Sequence, residues 1–348
     1  MKEPAASRLL KALSSLWMTL ACLAGLAVVV TLCTLAQAKL GIYKAVELYI
    51  RSLAIYAPLG GYKIAVFPGG ALVGALLLVN LSAAQLRLER SWRKAGLWVV
   101  HLGLILLFLG EFVSGIVRHE AQLTLERGQT LDYADDSRHV ELALIDETDP
   151  SSDRVYSISD SVLKRHGEVG KPALPLLVRV HQFSAKYRDD AVEDAQADVE
   201  IAENPLSADG GRWMLSMREP VRFSAAGRRY RVALRPRRYQ LPVALTLEEF
   251  RRDTYPGTDI PRSFSSRVIV RDGGQPDGRP ALISMNNPLR VAGFTFYQAG
   301  FAQDDRVSIL EVVDNPAWAL PYLSCALVSL GLIVHFLRRL SLSRAARS

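Results

Sequence analysis

The chain has 348 residues, 49% hydrophobic and 22% charged, with 42 Lys+Arg against 35 Asp+Glu and a net charge of +7. Apolar content that high excludes a disordered polypeptide. The charge is unevenly placed: residues 117–315 hold 27 basic and 31 acidic side chains, leaving 15 against 4 elsewhere, and that surplus flanks apolar runs, which marks membrane topology and not nucleic-acid binding.

Four stretches, at about 13–36, 64–84, 97–116 and 318–337, are long and apolar enough to cross a bilayer as helices. The first is too long, and too poor in small-residue cleavage signals, for a signal peptide. In the loop 39–63, Val46, Tyr49, Leu53 and Tyr56 fall at helical spacing. Either an interfacial helix over 45–56 or an irregular loop fits that pattern. Pro68-Gly69-Gly70, just after it, permits close helix approach or a re-entrant distortion.

Basic residues set the orientation. Lys2, Arg8 and Lys11 precede the first span, Arg87, Arg90, Arg93 and Lys94 separate the second and third, and Arg338, Arg339, Arg344 and Arg347 follow the fourth. Both termini are therefore expected in the cytoplasm. The expected fold is an α-helical integral membrane protein with four transmembrane helices and a large extracytoplasmic mainly-β domain between helices 3 and 4. Its divisions are a membrane domain at 1–116, the β-rich domain at 117–315 and a last span with basic tail at 316–348. Alternating segments at 139–145, 176–183, 230–234, 294–297 and 307–312 carry the strand signal. A helix fits residues 247–252.

Cys22, Cys33 and Cys325 all lie in apolar runs and form no CxxC or CxxCH, which excludes a dithiol oxidoreductase and a covalent haem carrier. Polar groups within spans are more informative, because each is costly unless paired or functional. His101 lies about 10 Å along its helix from Lys94, and His335 about 4–5 Å from Arg338. Both imidazoles could serve one haem iron as axial donors, or each could hydrogen-bond to a neighbouring helix or reach the interface. Leu104, Ile105 and Phe108 share the His101 face and could pack on a porphyrin. Glu111 is a relay candidate, a partner for Arg118 or an interfacial residue, and Asn80 fits an interhelical hydrogen bond. In the β region Arg229, Arg231 and Arg235 project from one strand face, extended by Arg237 and Arg238. They could hold propionates or phosphates, or form a solvated face. His119, His139, His166 and His181 lack a partner at catalytic spacing.

Several stretches together resemble the ResB/CcsB family. They are RKAGLWVVHLGLILLFLGEFVSG (93–115), SMNNPLRVAGFTFYQAGF (284–301), VVDNPAWALPYLSCALVSLGLIVHF (312–336), CTLAQAKLG (33–41) and FPGGALVGALLLVNL (67–81). Cys33 stands where that family commonly has Gly. Residues 120–280 carry no placed signature. The resemblance implies a subunit of a System II cytochrome c maturation complex in a bacterial inner membrane, carrying non-covalent haem b outward for attachment to apocytochrome c. It implies a CcsA/ResC-like tryptophan-rich multispan partner, lipid contact, no nucleic acid, and a non-catalytic or co-catalytic part in the haem lyase. The family's intramembrane histidine maps onto His101. The second iron ligand is His335 or a partner's histidine, and Arg93, Lys94, Arg338 and Arg339 are placed to meet propionates. Two alternatives stand beside this: a b-type electron-transfer subunit, and a non-haem membrane-anchored scaffold.

Overall fold

A computed structural model describes residues 4–345 apart from 60–61, 170–173, 189–190, 203–210, 226, 274–276 and 303–305. It separates into two units, Met1–Arg118 with Asn315–Ser348, and His119–Asp314. Four helices are long and apolar enough to cross a membrane.

In the first unit α1 (Ala5–Leu13) and α2 (Leu16–Leu40) are separated at Ser14-Ser15. The break frees backbone carbonyls, and Asn80 takes them up: its amide donates to the carbonyls of Leu13 (2.6 Å) and Ser15 (3.1 Å), while Thr19 donates to its Oδ1 (2.7 Å). Gly41, at φ 78°, ends α2. There follow α3 (Ile42–Ala45), a π-helical turn Val46–Ile50, and an antiparallel hairpin of β1 (Ala54–Leu59) and β2 (Tyr62–Pro68). The helix expected over 45–56 thus stops at Ile50. The second span, expected from residue 64, begins at Gly70, because Tyr62, Ile64 and Val66 alternate as a strand and Pro68 ends it. Gly69 and Gly70 allow the close approach expected of them. A Cβ at Gly69 would collide with the Ser52 carbonyl, and one at Gly70 would lie 2.6 Å from the Ile50 carbonyl oxygen. Next come α4 (Gly70–Arg87), a tight turn at Trp92–Lys94 and α5 (Ala95–Val117).

The second unit comprises β3 (His119–Glu126), β4 (Thr130–Asp146), β5 (Arg154–Ser159), α6 (Asp160–Leu163), β6 (Gly167–Glu168), β7 (Leu177–Arg188), β8 (Ala191–Ala202), β9 (Gly211–Ser216), β10 (Val221–Ala225), β11 (Arg228–Thr254), β12 (Pro261–Arg271), β13 (Arg279–Ser284), β14 (Leu289–Val291), β15 (Phe294–Ala302) and β16 (Val307–Asp314). The long strands β4 and β11 pair with each other and serve two cores, with bulges where Pro236 gives way to Arg237 and between Gln240 and Leu245. In the first core, Val140, Leu142 and Leu144 of β4 and Tyr230, Val232 and Leu234 of β11 face the sheet β6-β7-β8-β9. The second core lies inside the path β13-β12-β11-β4-β3-β16-β15-β14, filled by Leu123, Leu245, Leu247, Val268, Phe296 and Leu310.

That sheet curls until distant strands meet. Ser266 of β12 donates to Gln298 Oε1 of β15 (2.6 Å) and shares a 2.7 Å bond with Ser308 of β16. The helix expected over 247–252 is instead part of β11. Leu245 and Leu247 alternate into the core, and β11 pairs with β12 as far as Thr254. After β16 the chain returns to the first unit as α7 (Leu320–Ala345).

Candidate functional site

Among the described residues, the closest approach between two membrane-length helices joins α5 to α7, antiparallel, along glycines seven residues apart. A Cβ at Gly96 would lie 2.6 Å from the His335 backbone nitrogen and 2.7 Å from the Gly331 carbonyl oxygen. One at Gly103 would lie 2.9 Å from the Val328 nitrogen, and one at Gly110 would be 3.0 Å from Leu320. Gly331 reciprocates, 2.7 Å from the Val100 nitrogen. Backbones can approach this closely only where side chains are missing. The sequence shows this seven-residue spacing, which the reading by polar residues passes over.

His335 therefore meets α5 at Gly96, and its ring stands edge-on to Phe336 with centroids 5.6 Å apart. His101 lies five residues beyond Gly96, about 140° round the helix. It shares a face with Phe108, which packs on the Cys22–Val73–Leu77 cluster of α2 and α4. His101 thus lies off the α5–α7 contact line, whereas the backbone of His335 is on it. His101 is half-buried, and its Nδ1 is buried with no hydrogen-bond partner. Gln85 of α4 reaches the same helix, donating to the Trp98 carbonyl at 3.2 Å.

The expected basic rim is only partly available. Lys94 pairs with Glu89 at 2.8 Å, and the Arg338 guanidinium lies 5.4 Å from the Trp92 ring centre. This contact brings the end of α7 to the turn that opens α5. Arg339 is exposed. The side chain of Arg93 lies outside the described residues. Near the other end of α5, Glu111 forms no pair with Arg118 and instead lines a cavity of about 330 Å³ together with Arg51. Neither His101 nor His335 borders that cavity.

In the β-rich unit acids of β4 and the turn after it take up part of the arginine face: Arg235 pairs with buried Glu141 at 2.9 Å, Arg238 with Asp135 at 3.3 Å, and Arg231 with Glu147. Arg229 donates to the Glu147 backbone carbonyl at 3.3 Å and the Arg237 guanidinium lies 5.0 Å from the Tyr239 ring centre, while Arg228, on the opposite face, pairs with buried Asp146 at 3.0 Å. The Arg231 hydrogen bond holds the Glu147 carboxyl below its ordinary range. Hydrogen bonds from Thr148, then the Arg228 pair, do the same for Asp146. Burial pushes the Asp135 carboxyl up, against the pull of Arg238. These guanidiniums are structural crosslinks between strands. His139 bonds Asp136 at 2.7 Å, and His181 bonds Glu200 at 3.0 Å. His119 stands 6.0 Å ring to ring from Tyr239 beside a 70 Å³ pocket that Gln240, Phe294 and Asp314 also line. His166 occupies a turn at φ 54°. Among the described residues no three His, Cys, Asp or Glu gather as a metal site.

Residues 225–315 match the model of the ResB-like family, a stretch running from the end of β10 through β16. Over 106 residues, 30% of this chain, the sequence is 33% identical to Protein NrfI of Wolinella succinogenes. Over 39 residues, 11% of this chain, it is 49% identical to the cytochrome c biogenesis protein CcsB of Synechococcus sp. strain RCC307. The matches span 12% and 9% of those relatives' own lengths. Within the matched stretch, Ala292-Gly293 form a hairpin turn at positive φ, Phe296 is fully buried and Gln298 sits in the polar contact that joins β12, β15 and β16. The stretch matched by the family model thus includes strands of the second core together with Tyr230, Val232 and Leu234 of the first.

Proposed function

Taking as premise that the chain is ResB/CcsB-like, we propose that it works in cytochrome c biogenesis as the membrane subunit that moves haem b outward and presents it for attachment to apocytochrome c. The observation that carries this reading is His101, an imidazole inside a membrane-crossing helix whose Nδ1 is buried without a partner. Burying such a nitrogen unbonded is costly, so a role in ligation gives it a reason to stay. Haem here is cargo. His101 would offer its other ring nitrogen, Nε2, to the iron, since Nδ1 is enclosed by protein and has no hydrogen-bond partner among the described residues.

His335 and a histidine of a partner chain are the two sources for a second ligand. His335 meets α5 through its backbone at Gly96, and both sources stay in the proposal. Arg338, Arg339, Lys94 and Arg93 would attract propionates at the cytoplasmic rim. The basic flanks support a reading in which both termini are cytoplasmic and the β-rich unit lies outside the cytoplasmic membrane. The partner in this reading is a separate CcsA/ResC-like multispan chain.

The test is the absorbance spectrum of the purified complex, with cytochrome c output measured alongside. His101→Ala should remove most of the haem and output, and His101→Gly should regain haem when imidazole is supplied. Full haem and full output in His101→Ala would overturn the proposal.

A further inference from the structure

The cavity in the first unit has a chemistry that haem delivery does not use. About 330 Å³ in volume, it is walled by Leu26 of α2, Gly70, Ala71 and Gly74 of α4, and Phe108 and Phe112 of α5. Two charges of opposite sign line it, Arg51 after the π-helical turn and Glu111 of α5. Among the described residues neither forms an ion pair or a hydrogen bond, with the other or with anything else. Both side chains are exposed, and they give the otherwise apolar cleft one positive and one negative wall.

The occupant can be narrowed by its charge. A dicarboxylate such as haem, or an anionic lipid, would satisfy Arg51 and be repelled by Glu111. An uncharged hydrocarbon plug would leave both charges unmatched. A zwitterion with an apolar body satisfies all three walls. We propose that this cleft binds one zwitterionic phospholipid carrying a primary ammonium, with its phosphate on Arg51, its ammonium on Glu111 and an acyl chain along Leu26, Phe108 and Phe112. The N-terminus of α4 at Gly70 adds partial positive charge on the phosphate side. Gly74 of α4 sits opposite the Phe112 ring, 3.6 Å from where its Cβ would be.

The experiment is native mass spectrometry of the full chain in mild detergent, after exchange into phosphatidylethanolamine, phosphatidylcholine or phosphatidylglycerol. Phosphatidylethanolamine should be retained at one per chain and at least tenfold above the other two. Arg51→Gln and Glu111→Gln should each lower that retention about tenfold, roughly 1.4 kcal/mol, with unchanged thermal midpoints. Arg51→Lys should keep most of it, which covers the case in which Arg51→Gln fails to fold. His101→Ala should keep all of it, so that a failure of the haem proposal is told apart from a failure here. Equal retention of the three lipids, retention unchanged in both glutamine variants, or haem recovered in the cleft would overturn the assignment.

Discussion

Arg235 shows why a row of arginines is a poor guide to a ligand site. Its alternation with Tyr230, Val232 and Leu234 is legible in the sequence, and those three do point into the first core. The acids that meet the arginines lie on β4 or just beyond it, about ninety positions earlier in the chain for Glu141, so no local pattern shows the pairing. Glu141 is 2% exposed and also accepts from Ser157. Arg235→Ala would leave its charge without a counterion, and we expect a loss of about 3–5 kcal/mol. Replacing both partners, Arg235→Met with Glu141→Leu, should recover most of that loss. Thermal unfolding followed in the β-sheet circular dichroism band reads both, and an unchanged midpoint in the single variant refutes the reading.

Acid should act on two neighbouring carboxyls of the same region. Asp146 and Glu147 have folded-state pKa values below their unfolded ones. Their stabilisation is therefore complete above the ordinary carboxylate range, about pH 4, and is lost as pH falls through the lower folded values. The midpoint should drop below about pH 4, and less steeply in Asp146→Asn and Glu147→Gln. Parallel curves for wild type and both variants would contradict this. Gln298 is a third such position. Gln298→Leu leaves two buried serines with only each other and should cost about 1–3 kcal/mol in the same measurement.

At the level of elements, the four apolar helices were visible because length and hydropathy alone define them. Their mates were not. The α5–α7 contact rests on Gly96, Gly103, Gly110 and Gly331, and a glycine's meaning depends on which backbone lies opposite. Gly103→Leu should force the helices apart, since even a Cβ there would lie 2.8 Å from Val328. Crosslinking yield between single cysteines placed at non-glycine positions of α5 and α7 flanking Gly103 and Val328, with Cys22, Cys33 and Cys325 replaced, should then fall several-fold, and full yield would show that the contact does not need the glycine. Residues 247–252 illustrate the opposite error. Glu248, Glu249, Arg251 and Arg252 favour a helix by propensity, but Leu245 and Leu247 are held in the second core and the run follows its strand. The 64–68 segment was lost to β2 for the same reason: strand pairing with β1 outweighs apolar continuity with α4.

For the whole molecule, the mainly-β character of 119–314 was legible from alternation, whereas its two cores were not. They share β4 and β11, and a strand that changes core midway looks like any other long strand in sequence. Orientation can be tested directly. In a Cys325→Ser background, Ser152→Cys in the turn before β5 should react with a membrane-impermeant maleimide added to intact cells. Glu89→Cys between α4 and α5 should react only after lysis. Labelling at the two sites in the reverse order would invert the proposed topology.

His119 and Asp314, the first and last residues of the β-rich unit, are direct cross-strand partners. Entry and exit therefore lie only about 5 Å apart, a gap that two or three glycines would close. Such a module can be exchanged like a cassette: deleting it, or grafting another domain whose termini also adjoin, should leave α5 and α7 free to associate through their own backbones. Diversification of the soluble portion during evolution could then proceed without renegotiating the hydrocarbon-embedded scaffold.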